Sequence, residues 1–154
     1  MKVSNILDKK GKKIFTINEN LSVLDAVKIL SDNKIGSLIV INDNNDLEGI
    51  VSERDVLYKC YAQNMQICDK PVKEIMTPKN DLIIGKIDDT PTYLMNVMTS
   101  KRIRHIPILD KDTIVGIVSI GDVLKNVLES SEIEAKLLKE HIQNPFGVHI
   151  YKQK

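Results

Sequence analysis

The chain has 154 residues, of which 42% are hydrophobic and 28% charged, and its formal net charge is +1. These apolar residues suffice for a core, whereas the near-neutral charge, the absence of Trp and the presence of only two Phe argue against binding nucleic acid by charge or stacking. No run approaches the roughly 18 apolar residues of a membrane span, and no apolar signal segment follows Lys2, so we expect a cytoplasmic protein that does not cross a membrane.

The first half of the chain alternates helical and extended patterns. Ser22 is a typical N-cap, and apolar residues from Val23 to Leu30 recur at helical spacing. The β-branched run at 37–41 predicts a strand buried on both faces, and the polar run at 42–46 predicts a turn. In chain order, the prediction is a helical turn at 3–7, an extended segment at 13–17, a helix from Val23 that ends at 33–34, strands at 37–41 and 47–51, a helix at 54–62 and a connector at 63–71.

The second half of the chain repeats this order. Thr90 predicts a helix N-cap, and Pro91 occupies the first helical position, where proline is favoured. The remaining elements are a helical turn at 72–76, strands at 82–84, 106–109 and 114–118, a turn at 110–112 and a helix that begins near Asp122. A further helix at 132–142, with Ile133, Leu137 and Leu138 on one face, predicts a docking surface.

The two halves are copies of one unit. Gly49–Leu57 and Gly116–Leu124 are identical at seven of nine positions, and a shift of 68 residues superposes Ser22 on Thr90. Such self-similarity indicates a duplication. We therefore expect an α/β fold (α+β by some schemes) of two β-α-β-β-α repeats packed as a pseudo-two-fold pair, because neither repeat alone buries both faces. The predicted boundaries are 1–66, 67–128 and a C-terminal helix and tail at 129–154.

The duplicated motif places a hydroxyl and a carboxylate at the start of a helix. Ser52 and Ser119 stand at N-cap positions, and Asp55 and Asp122 stand in the first turn, where an acid complements the helix dipole. A carboxylate also offers two acceptors to the paired hydroxyls of a ribose, and a hydroxyl beside free helix amides suits a phosphate. One copy alone would favour capping; two matched copies favour a binding role.

The two copies of Gly-Ile-Val-Ser-x-x-Asp, with the segment Ile103-Arg104-His105-Ile106-Pro107, resemble the cystathionine β-synthase (CBS) domain. The resemblance covers roughly residues 3–128 and is that of a tandem pair, or Bateman module, as in stand-alone bacterial CBS-pair proteins. It implies a regulatory sensor rather than an enzyme. Such modules bind AMP, ADP, ATP, NAD(H) or S-adenosylmethionine between the repeats, commonly form homodimers and signal to a protein partner, which is unknown here, by conformational change.

The resemblance also implies two clefts, each built from both repeats. Cleft one would combine the first motif with apolar walls of the second repeat, and its phosphate groups would meet Arg54, Arg102, Arg104 and His105. Its members are Ile50, Ser52, Arg54, Asp55, Ile84, Ile103, Arg104, His105 and Ile106; those of cleft two are Thr16, Ile35, Ser37, Leu38, Ile117, Ser119 and Asp122. Because Gly36, Ile120 and Gly121 stand where cleft one has charges, we expect cleft two to lack positive charge and to bind a less charged ligand or to bind more weakly.

Two alternatives remain open at the level of sequence. The first is a dimeric scaffold protein whose clefts are vestigial. The second is a redox-responsive module that uses Cys60 and Cys68. The spacing of these cysteines fits neither a zinc pair nor a C-x-x-C motif. We expect no catalytic cofactor and no metal site, because His141 and His149 have no companion ligands. The sequence contains no phosphate-binding loop and no nucleophile motif, so we expect no enzymatic activity.

Overall fold

The computed structural model describes residues 1–11, 13–63 and 69–143, which form two halves with a sheet and a hydrophobic core each. Helix α1 spans Val3–Lys10. The first half continues with β1 (Thr16–Asn18), α2 (Val23–Asn33), β2 (Ser37–Ile41), β3 (Leu47–Ser52) and α3 (Glu53–Asp55), which runs on as a π-helical turn at Val56–Cys60 and a 3-10 turn at Tyr61–Gln63. The second half contains β4 (Thr77–Pro78), β5 (Gly85–Lys86), α4 (Pro91–Lys101), β6 (His105–Asp110), β7 (Thr113–Ser119) and α5 (Ile120–Gln143), with 3-10 turns at Val72–Glu74 and Lys79–Asp81.

The predicted α/β duplication is confirmed in the register of the two hairpins. The four-stranded sheet has the order β1-β2-β3-β4, and the three-stranded sheet has the order β5-β6-β7. Ser37 pairs with Ser52 in the first hairpin, His105 pairs with Ser119 in the second, and both ladders shift register at the matching place. Both predicted N-caps, Ser22 and Thr90, accept a hydrogen bond from the third helical residue. The halves therefore share their local geometry.

One predicted strand, at 82–84, is wrong: the strand begins at Gly85. In the first half the amide of Ile39 donates to the carbonyl of Phe15 at 3.0 Å, which extends the parallel pairing towards β1's N-terminal side. The matching residue of the second half is Pro107, which has no N–H to donate. Pairing between β5 and β6 therefore starts at Gly85 and Ile108.

The two halves exchange short segments. Helix α1, at the start of the chain, packs into the second core, and the segment 72–78, at the start of the second half, packs onto the first; we call these two the exchanged segments. Helix α1 buries Val3, Ile6 and Leu7 in the second core, while Val72 and Ile75 are buried in the first. Backbone hydrogen bonds fix both exchanges: Val3 donates to Asp89 at 2.9 Å, and Val72 donates to Leu21 at 2.8 Å. This exchange ties the two halves together and carries the end of α1 to the boundary between them.

The glycine that opens each motif lies where such an exchanged segment docks. A Cβ on Gly49 would lie 2.4 Å from the carbonyl oxygen of Thr77, which belongs to β4. A Cβ on Gly116 would lie 2.6 Å from Cδ2 of Leu7 in α1. The motif glycines are therefore required for close packing of backbone or helix against β3 and β7.

Helix α5 is continuous from the second motif to Gln143, so the predicted boundary at 128/129 falls inside one helix and stays a prediction. Its first turns bury Val123 and Asn126, and residues 131–143 are exposed. None of the helices within the described residues is both long and apolar enough to span a membrane.

The cysteine prediction is tested only for Cys60. This thiol is buried at the end of the first motif helix, and burial raises the pKa of Cys60 above its ordinary value. Cys68, His149 and the predicted tail after residue 143 lie outside the described residues.

Candidate functional site

Cleft one opens between the first motif and the start of β6, and its volume is about 140 Å³. It brings together residues of both halves. Its lining includes seven predicted residues, namely Ile50, Ser52, Arg54, Asp55, Ile103, Arg104 and His105, together with Glu53 and Thr77, which sequence reasoning missed. The lining thus offers apolar walls, a carboxylate and guanidinium groups in one small volume.

The carboxylate of Asp55 is held in place before any ligand binds. Its Oδ2 accepts hydrogen bonds from the backbone N–H and the hydroxyl of Ser52, both at 2.9 Å, while its Oδ1 lies 2.8 Å from Nζ of Lys59. In return, the hydroxyl of Ser52 accepts from the amide of Asp55 at 3.4 Å. This reciprocal cap fixes the position of the acid at the cleft.

Two of the three arginines predicted for cleft one, Arg54 and Arg104, line it and have different surroundings, whereas Arg102 is not part of the lining. Nη1 of Arg54 donates to the backbone carbonyl of Arg102 at 2.7 Å, which links the first motif helix to the end of α4. Arg104 lines the cleft and is exposed. Arg54 is therefore already used in joining the two halves, and Arg104 is the better placed of the two to meet an anionic ligand.

His105 lies between the two clefts and lines both. Its ring packs on Gly36, where a Cβ would lie 2.9 Å from both Cε1 and Nε2 of the imidazole. Burial lowers the pKa of His105 below 6.5, so the imidazole is mostly neutral at pH 7. This burial acts against the positive charge that was expected of His105 in cleft one.

Cleft two has a volume of about 280 Å³ and is lined by Lys10, Lys13, Ile14, Phe15, Lys34, Ile35, Gly36, Ser37, His105, Ile117 and Ser119. Ile35, Ser37, Ile117 and Ser119 lie where the sequence predicts. The prediction that this cleft lacks positive charge is wrong, because three lysines line it. Nζ of Lys13 is held 4.5 Å from the centroid of the Phe15 ring.

Asp122 repeats the cap of Asp55 but does not line cleft two. Its Oδ2 accepts from the backbone N–H of Ser119 at 2.8 Å, from the hydroxyl of Ser119 at 2.7 Å and from Nζ of Lys10 at 2.6 Å. Burial acts to raise the pKa of Asp122, but the hydrogen bonds from Lys10 and Ser119 outweigh it and hold the pKa below 3.8. Asp122 lines a separate cavity beside α1 and α5, which it shares with Lys10.

Besides Asp122, four members of the predicted lists lie away from the clefts. Leu38 and Ile106 are fully buried in the two cores, because adjacent residues of a strand face opposite sides and their neighbours Ser37 and His105 take the cleft side. Thr16 and Ile84 line a different groove between the sheets, together with Ile39 and Leu109. These placements correct the predicted lists.

The missed residues belong to the exchanged segments and to helix ends. Lys10 closes α1, and Lys34 is the left-handed residue that ends α2, with φ of 52°. Thr77 lies in β4 and pairs with Ile50. The duplication could not reveal Lys10, because the matching segment of the other repeat, around 72–76, is a short 3-10 turn rather than a full helix.

Metal binding has no visible basis in the part of the chain that the structure describes. Within residues 1–11, 13–63 and 69–143, no three or more His, Cys, Asp or Glu side chains are grouped to hold an ion.

The family model of the CBS domain matches residues 3–61 and 72–129. The chain therefore belongs to the CBS-domain family and carries two copies of the domain. It resembles "CBS domain-containing protein CBSX3, mitochondrial" of Arabidopsis thaliana, which is 33% identical over 150 residues, a match that covers 94% of this chain and 73% of the relative.

Solved structures of CBS-domain proteins have the same fold. A protein with CBS domains from Burkholderia ambifaria is 36% identical with a TM-score of 0.78, and the match covers 84% of this chain and 95% of that one. The CBS domain pair of protein MJ0100 is 28% identical with a TM-score of 0.72, and the match covers 84% of this chain and 98% of the pair. That pair was solved in complex with 5′-methylthioadenosine and S-adenosyl-L-methionine.

Proposed function

We propose that this protein is a regulatory sensor that binds an adenosine-containing ligand, such as AMP, ADP, ATP or NAD(H), in the clefts between its two CBS domains. One observation carries the proposal: in cleft one the pre-oriented carboxylate of Asp55 from one half faces Ile103 and Arg104 from the other. The complex of the MJ0100 pair with two adenosyl compounds supports the ligand class. The role is regulatory and assigns no catalytic step.

In cleft one, each part of such a ligand has a chemical counterpart. The ribose hydroxyls donate to Asp55, whose carboxylate already accepts from Ser52 and keeps further lone pairs. The adenine packs against Ile50 and Ile103, and Arg104 attracts the phosphate. A ligand that contacts both halves favours the arrangement that closes the cleft, and it shifts that equilibrium only by its difference in affinity between the arrangements.

The surface that passes on this change is the exposed side of α5. Leu124, Leu128, Leu138 and Ile142 recur at helical spacing and are all exposed in the single chain. We propose that a second copy of the chain covers this face, so that the sensor acts as a homodimer. The same exposed face also favours the scaffold alternative, in which α5 mediates the interaction and the clefts bind no ligand.

Cys60 gives the redox alternative no support, because a buried thiol with a raised pKa is a poor nucleophile.

A thermal-shift panel tests the proposal against the scaffold alternative. The purified protein is melted with AMP, ADP, ATP, NADH, S-adenosylmethionine and, as controls, GMP and GTP. A true ligand at about 100 times its dissociation constant adds about 2.7 kcal/mol to the free energy of unfolding. We expect at least one adenosine compound to raise the melting temperature while its guanosine counterpart does not. No shift with any adenosine compound at millimolar concentration would leave the scaffold role as the better account.

A further inference from the structure

Lys10 lines both cleft two and the cavity that contains Asp122. Its ammonium lies 2.6 Å from Oδ2 of Asp122 and donates to the carbonyl of Ile117 at 3.1 Å. Lys10 lines cleft two, while Asp122 lines only that cavity. The acid that a ribose needs is therefore paired with a cation of the protein itself at Oδ2, while 25% of its side chain stays exposed.

In cleft one, the lysine partner of the acid is not part of the cleft lining. Asp55 lines its cleft directly, although it also has a lysine partner. That partner, Lys59, lies one helical turn further along, donates to the carbonyl of Ile75 at 2.9 Å and is not among the residues that line cleft one. Lys59 thus pairs with its acid outside the lining of cleft one, whereas Lys10 pairs with its acid and also lines cleft two.

We propose that Lys10 is a gate that makes cleft two selective for phosphorylated adenosine ligands over neutral nucleosides. This inference rests on the proposed function of the clefts. A neutral nucleoside whose two ribose hydroxyls use both oxygens of Asp122 must displace the ammonium of Lys10 from Oδ2, and it offers that ammonium no anion in return. A phosphorylated ligand supplies that anion, so the charge of Lys10 moves from one partner to another instead of being left unpaired.

The other cations of the cleft reinforce this selectivity. Lys13 and Lys34 line the same volume as Lys10, and Lys13 is positioned by the Phe15 ring. With Lys10 freed from Asp122, three ammonium groups face one cleft, and only an anionic ligand relieves their mutual repulsion. Cleft two is therefore the site with the stronger demand for phosphate, the reverse of the order expected from the sequence.

The helix that carries the gate is held in place independently of it. Lys9, the preceding residue, forms an ion pair with Glu129 of α5 at 3.0 Å, and α1 is anchored in the second core by Ile6 and Leu7. The Lys10 side chain can therefore move while α1 stays packed in the second core. Lys9 also supplies a matched control, because it makes the same type of contact between α1 and α5 without lining cleft two.

The test is calorimetric titration with AMP and with adenosine, in an Asp55→Asn background that weakens cleft one. We expect the parent to prefer AMP over adenosine by about tenfold or more, and Lys10→Ala to reduce this ratio about tenfold, with weaker AMP binding and tighter adenosine binding. Lys9→Ala should leave the ratio within about twofold, and Lys10→Arg should keep most of it because the charge is retained. Melting curves of each variant confirm folding.

The contrary outcomes separate this inference from the proposed function. Suppose that AMP binds the Asp55→Asn parent and that Lys10→Ala weakens the binding of AMP and adenosine equally, or leaves both affinities unchanged. Lys10 is then not a gate, although the clefts still bind nucleotide. If Lys9→Ala changes the ratio as much as Lys10→Ala, the effect comes from α1 packing and the gate is again wrong. If neither the wild-type protein nor any variant binds either ligand, the proposed function itself fails.

Discussion

At the scale of single residues, the two motif aspartates show how one local geometry yields two different sites. Asp55 and Asp122 form the same cap with Ser52 and Ser119. Their differences come from lysines that arrive from outside the motif, Lys59 from the next turn and Lys10 from α1. The motif therefore defines the position of each acid, and its neighbours define what that acid is free to bind.

His105 makes the stability of the protein depend on pH. Its pKa is lowered by burial, so the unfolded chain binds a proton more readily than the folded protein below about pH 6.5. The free energy of unfolding should therefore fall as the pH drops from about 6.5 towards the lowered pKa of the folded state. His105→Gln should flatten this part of the pH profile of the melting temperature.

The exposed His141 provides the control for this prediction. His141→Gln controls for the substitution itself, because it removes an imidazole that is not buried in the folded protein. An unchanged slope in His105→Gln would mean that its burial does not disfavour the imidazolium. Asp122 titrates in a separate window, because its pKa is lowered below 3.8 and its contribution is lost only in stronger acid.

At the scale of elements, the sequence predicted the hairpins and helix caps well and the exchanged segments poorly. Ser22, Thr90 and the strand at 37–41 carry local signals, so their elements follow from neighbouring residues alone. The partner of α1 is not a local property. An amphipathic turn shows which face is buried but not which core receives it, and so the lysine at its end could not be assigned to cleft two.

The same limit explains the errors in the strands. The sequence at 82–84 is apolar enough for a strand, but pairing depends on a donor in the neighbouring strand, and Pro107 removes it. Likewise, Leu38 and Ile106 were predicted in the clefts because they belong to the matching segments, although strand alternation turns them into the cores.

The motif glycines give an element-scale prediction. Gly49→Ala places a Cβ against the backbone of β4, which cannot rotate away, whereas Gly116→Ala meets the end of the Leu7 side chain. We expect both to lower stability, by about 1–3 kcal/mol for overpacking, with Gly49→Ala the more severe. Urea unfolding of the two variants measures this order. Double substitution of Gly116→Ala with Leu7→Val should recover part of the loss, and equal effects of Gly49→Ala and Gly116→Ala would contradict the packing account.

At the scale of the whole molecule, α5 predicts self-association. The spacing of Leu128 and Leu138 places them on one exposed face, so burying that face against a second copy removes apolar area from water. Leu128→Glu with Leu138→Glu should turn the dimer into a monomer in sedimentation velocity. Lys136→Glu, an exposed change at another position of the helix, should leave the dimer intact. A monomeric wild-type protein at high micromolar concentration would contradict the proposed homodimer.

The account depends most on the claim that the two motif aspartates bind the ribose of an adenosine ligand. The decisive measurement is calorimetric titration of the wild-type protein, Asp55→Asn, Asp122→Asn and the double variant with AMP, ATP and S-adenosylmethionine. Asn keeps an acceptor for the cap but loses the charge and one acceptor for the diol. We predict that each single variant weakens one cleft and that the double variant loses at least about tenfold in affinity for every ligand that binds the wild-type protein. Wild-type affinity in a folded double variant would contradict the account.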